Sequence, residues 1–155
     1  MKYFSVALLA VLLLSCGSRE SVLCAHAAVK PGMTVVDVVG ASFNCQPADR
    51  YVLISPTPCP SFQVSRWRGK SEMRIYGSGR GSDCPYPGPY EQLDFPDDAS
   101  LLGALAEQAV VLPVVSSLDV WLTQDMFLDA GNSFQVKFDE DGKVISRGPI
   151  KFSDF

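Results

Sequence analysis

The chain has 155 residues, with 17 acids against 13 bases and a formal charge of −4. That balance excludes the basic surface on which nonspecific nucleic-acid binding depends, so no nucleic-acid partner is expected. The length suits one domain with a real core and leaves too little for two.

Lys2 precedes an uncharged apolar run from Tyr3 to Leu14. A spanning helix needs about 20 apolar residues, so this run is too short, and "GSRE" follows it at once. It fits the apolar segment of a secretory signal. Its end, Leu13-Leu14-Ser15-Cys16, resembles the bacterial lipobox. The resemblance implies a diacylglyceryl group on the Cys16 thiol, cleavage after Ser15 and an acylated new amino terminus. Such an anchor holds a protein firmly, because each buried CH₂ contributes about 0.8 kcal/mol of membrane affinity. Gly17 in place of Asp favours the outer membrane, with the domain facing the periplasm or the cell surface. The alternative is an ordinary signal cleaved after Ala25 or Ala27. Residues 1–15 are thus expected as signal, 16–30 as lipidated Cys and tether, and 31–155 as one domain.

With Cys16 assigned to the lipid, Cys24, Cys45, Cys59 and Cys84 remain. An even number in an exported chain reads as two disulfides, with three connectivities open. No C-x-x-C occurs and His26 is the one histidine, so neither a metal site nor a cofactor is expected.

In "KPGMTVVDVVG" Thr34 can cap a helix, Asp37 completes a variant capping box, and Met33 and Val38 form the staple. Gly40 is expected to stop that helix. The run "YVLI" at 51–54 reads as an edge strand. Next, "SFQVSRWRGKSEMRIYG" alternates, with Phe62, Val64, Met73 and Ile75 on one phase and Gly69-Lys70 turning the chain. The basic residues of this stretch are assigned to the other phase. Arg66, Trp67, Arg68 and Arg74 make it the most interaction-like patch, since Trp and Arg are enriched at binding hot spots. Residues 77–96 are dense in Gly and Pro and read as a long irregular segment carrying Cys84.

Asp97 or Asp98 can cap a helix over "ASLLGALAEQAV" with Leu101, Leu102, Leu105 and Ala109 inward. Residues 117–128 are ambiguous between helix and strand. Phe134, Val136 and Phe138 alternate, "DEDG" turns, and Val144 and Ile145 resume, giving a β-hairpin with Gly142 at positive φ. The fold expected is α+β: a small antiparallel sheet of hairpins and meander, packed with two or three short helices and stapled by disulfides.

Charge is uneven along the chain. Arg50 to Arg80 holds six bases and one acid, and Asp83 to Asp141 twelve acids and one base. This makes either a dipolar surface or two stretches that neutralise each other across the fold.

The "GMT" helix start at 32–34 and the turn from Phe138 to Val144 resemble the small outer-membrane lipoproteins of the BamE/SmpA/OmlA group. The resemblance implies helices packed on a β-meander and a noncatalytic role beside envelope proteins and lipid. The residues themselves carry no nucleophile–base–orienter arrangement. "GSGRGS" at 77–82 lacks the Lys and helix of a phosphate cradle. Paired acids at 97–98 and 139–141 have structural readings as cap and turn. Two functions are therefore carried forward. One is an anchored interaction or assembly module of the envelope; the other is an inhibitor or ligand-binding module.

Overall fold

A computed structural model describes residues 19–57, 62–76, 90–108, 115–123 and 131–152. Among the described residues there are three helices: α1 over 19–28, α2 at Val35–Cys45 and α3 at Asp98–Gln108. The strands are β1 Tyr51–Pro56, β2 Phe62–Trp67, β3 Lys70–Tyr76, β4 Tyr90–Phe95, β5 Ser117–Thr123, β6 Asn132–Phe138 and β7 Val144–Arg147. They form one antiparallel seven-stranded sheet in the order β4-β3-β2-β1-β5-β6-β7. The protein is α+β.

Two meanders, β1 to β4 and β5 to β7, meet where β1 pairs β5. Starting from that junction, the pairings make β4 and β5 run the same way, so the chain must recross the sheet between them. Helix α3 lies on that crossover. β1 is therefore the middle strand, not the expected edge. Its even positions Val52, Ile54 and Pro56 are buried. Pro56 is tolerated because it lies past the last β1–β2 pair, Ile54↔Val64.

Helices α2 and α3 cover one face of the sheet. Val38, Val39 and Phe43 of α2 and Leu101 and Leu105 of α3 meet Val52, Ile54, Phe62, Val64, Met73, Leu118, Val120, Phe134, Val136 and Phe138 in a single core. Phe62, Val64, Met73 and Ile75 share the inward phase that the alternation predicts, paired as Phe62↔Ile75 and Val64↔Met73.

Helix α2 begins as expected. Asp37 N–H donates to Thr34 Oγ1 at 3.2 Å, and Thr34 N–H donates back to the Asp37 carboxylate at 2.9 Å. Gly40 does not end it. The helix runs on to Cys45, and a Cβ at Gly40 would lie 3.6 Å from Leu102, so this glycine marks where α2 and α3 pack.

The segment expected as a tether is structured from residue 19. Val22, Ala25 and Val29 recur at helical spacing and are buried. This segment runs along the β7 edge. His26 Nε2–H donates to Gly148 O at 2.9 Å, and the Arg147 guanidinium donates to the carbonyls of His26 and Val29. Gly32 N–H donates to Val144 O at 2.9 Å, and Val144 N–H to Met33 O at 2.8 Å. Cys24 of α1 is disulfide-bonded to Cys45 at the end of α2, with Cα atoms 5.6 Å apart.

Two more expectations are revised, and one open alternative is settled. The β2–β3 turn is Arg68-Gly69, one residue earlier than expected. Both residues have positive φ (50° and 73°), as a two-residue type I′ turn requires. Residues 90–95, placed in the irregular segment, are an edge strand. Residues 117–123 are strand, with Leu118, Val120 and Leu122 buried.

Candidate functional site

A β-strand sends successive side chains to opposite faces, so the phase that fills the core leaves a second set on the face opposite α2 and α3. On β1 to β3 that set is Tyr51 and Leu53, then Gln63, Ser65 and Trp67, then Lys70, Glu72 and Arg74. With Asp94, Phe95 and Pro96 these residues line a groove of about 640 Å³. Trp67 is the bulkiest of these side chains, and the Arg68 guanidinium lies 4.3 Å from that ring's centre.

The polar groups of the groove are tied to one another. Arg74 Nε sits 2.6 Å from Glu72 Oε1, and Gln92 donates to Glu72 Oε2 at 3.0 Å. Gln92 also reaches Asp94 Oδ1 at 3.4 Å, bridging two acids that face each other across β3 and β4. Burial pushes the Tyr51 hydroxyl up from its ordinary pKa. Arg74 pulls it back and Glu72 adds to the rise. The phenol therefore stays protonated at neutral pH and can donate or accept a hydrogen bond.

The four residues of the interaction-like patch part company. Trp67 and Arg74 line the groove, and Arg68 is exposed at its end above Trp67. Arg66 is a correction: it is 4% exposed and faces the helices. Position 66 shares the phase of Phe62 and Val64, so strand alternation sends it inward. There its guanidinium donates to Phe43 O at 3.1 Å, in the last turn of α2, and to Gln46 O at 2.6 Å, the extended residue that follows the helix. The Phe43 carbonyl lies at the negative end of the helix dipole. Arg66 also pairs with Asp98 at 2.6 Å, at the first turn of α3, and Ser71 Oγ–H donates to the other Asp98 oxygen at 2.8 Å. Asp97 is left to cap α3: its carboxylate accepts from Ser100 N–H at 2.7 Å. Bonds from the Ser100 hydroxyl and amide hold the Asp97 carboxyl below its usual range.

Sequence reasoning did not find Tyr51, Gln63, Glu72 or Gln92. The signal was available for Gln63, because it alternates with Phe62 and Val64. For Tyr51 it was hidden by the apolar neighbours Val52 to Ile54. Cys16, Cys59 and Cys84 lie outside the described residues, as does Ala109. The pair Cys24–Cys45 selects one of the three connectivities, which leaves Cys59 and Cys84 as the second pair if both bridges form. Among the described residues no three of His, Cys, Asp and Glu gather where they could hold a metal ion. Among them, too, no helix is long and apolar enough to cross a membrane.

No family model, no curated protein and no solved structure matches the chain.

Proposed function

We propose that this protein is a noncatalytic, lipid-anchored module of the bacterial envelope that binds a partner protein or envelope polymer in the groove on the sheet face opposite α2 and α3. The observation that carries the reading is Trp67. It is a half-buried indole at the floor of an open groove, stacked by Arg68 and flanked by Tyr51 and the Glu72–Arg74 pair. Aromatic faces and a guanidinium beside satisfied polar groups are the chemistry of holding a partner. The lipobox-like "LLSC" supports the anchor, and the Cys24–Cys45 bridge fits an oxidising compartment outside the cytoplasm.

Two measurements test it. Labelled palmitate should enter the chain in cells and be lost in Cys16→Ala; incorporation that persists in that variant would defeat the anchor. A photoreactive residue at position 65, which lines the same groove and leaves Trp67 in place, should trap one discrete adduct in native membranes, and one at Glu107 on α3 should not. Trp67→Ala should cut recovery of that partner by about tenfold, the loss of a hot-spot residue worth more than 1 kcal/mol. Equal trapping at both positions, or undiminished recovery, would sink the groove assignment.

A further inference from the structure

The anchor reading makes a geometric demand that the expected tether would have relaxed. Cys16 stands three residues before Arg19, where α1 is already helix, so no more than about 10 Å of chain separates lipid from domain. The start of α1 must then lie at the membrane. Leu23 and Phe152 are two of the three large apolar side chains exposed among the described residues. They flank this point. Arg19, Leu23 and Ala27 recur every fourth residue on the outward side of α1, opposite buried Val22, Ala25 and Val29. The Arg19 guanidinium lies 4.5 Å from the centre of the Phe152 ring and so joins α1 to the segment that follows β7. Lys30, exposed just past α1, donates to Ala27 O at 3.3 Å and so places a second cation beside the outward residue Ala27.

Resting on the lipid-anchor reading, we propose that the β7 edge of the sheet, with α1 and the C-terminal segment through Phe152, lies on the phospholipid surface. Leu23 and Phe152 enter the headgroup–acyl boundary, and Arg19 and Lys30 meet the phosphates. Aromatic and aliphatic side chains beside cations suit that boundary, and a second signal turns a lipid tether into a fixed orientation. The strand order gives the orientation a consequence. The groove strands β2 and β3 are four and five positions from β7. At about 4.8 Å per strand the groove is carried roughly 19–24 Å from the anchored edge.

The test uses the full chain, purified with its lipid and reconstituted in vesicles of phosphatidylethanolamine and phosphatidylglycerol carrying a radiolabelled acyl chain. A benzophenone side chain is placed at position 23, 152 or 70. Positions 23 and 152 should form labelled lipid adducts about tenfold or more above position 70, which lines the groove. A protein that carries its acyl groups by mass yet labels all three positions alike would overturn the docking face and leave the anchor standing. A protein whose mass shows no acyl groups would overturn the anchor, and the docking face with it. Leu23→Asp should lower the adduct at 152 while the mass still shows the lipid; an undiminished adduct there would overturn the shared contact.

Discussion

Arg66 shows how one strand position can join two helices and a sheet. Its guanidinium donates to a carbonyl in the last turn of α2 and to the one that follows the helix, and it balances Asp98 at the start of α3. Arg66→Ala should therefore cost about 3 kcal/mol in denaturant-measured stability, the low end for a broken buried pair because Asp98 is partly open to water. Arg66→Lys should also lose stability, since a point ammonium cannot fork to two carbonyls and a carboxylate at once. Full stability in the alanine variant would refute this role. Asp119 is the opposite case. Burial raises its carboxyl above the ordinary value, opposed by Gln135 and Lys151. A raised folded pKa means that the ionised form is disfavoured in the native state. Stability should thus rise as pH falls through the folded value toward the unfolded one. Asp119→Asn should be more stable than the parent at pH 7, and the gain should vanish below pH of about 4, where aspartate is protonated in both states. Thermal melts across that range would show it.

At the scale of elements, glycines and phases decided where the sequence was readable. The Thr34–Asp37 capping box, the shared phase of Phe62, Val64, Met73 and Ile75 and the Phe138 to Val144 hairpin all stand as read, because each is set by neighbours in sequence. Gly142 has φ of 73° in that last turn, where Asp139 accepts from the amides of Asp141 and Lys143. Gly40 was misread because a glycine can stop a helix or let another helix approach, and only the partner tells which. Its backbone is ordinary helix and a Cβ would meet Leu102 at normal contact distance. Gly40→Ala should stabilise by about 0.5–1 kcal/mol through lower unfolded-state entropy. Gly40→Leu should destabilise by pushing α3 away. A stabilised leucine variant in equilibrium unfolding would show that the two helices do not pack closely there.

For the whole molecule the Cys24–Cys45 bridge and the β7 edge belong together. The bridge ties α1 to α2, and α1 with residues 29–33 covers an edge that would otherwise expose unpaired backbone groups. Replacing both cysteines by serine should lower stability by about 2–4 kcal/mol, with the loss read as a shifted denaturant midpoint. An unchanged midpoint would mean that packing of Val22, Ala25 and Val29 alone holds the helix. The two oppositely charged stretches are also joined at this scale: Arg66 pairs with Asp98, and basic β3 lies against acidic β4.

By itself the sequence determined the α+β class, the helix start at Thr34, both hairpins and the alternation that builds the core. These depend on periodicity, caps and turns within a few residues. Tertiary structure alone decided that "YVLI" is central, that Arg66 is an internal clamp and that residues 19–30 are packed structure. It also decided that Tyr51, Trp67, Glu72 and Arg74 share one groove. Those outcomes depend on strand order and on which helix covers which face, and both are chosen by pairings between residues far apart in the chain. The local pattern leaves such pairings open, because an apolar run is equally suited to an edge or a centre until its neighbours arrive.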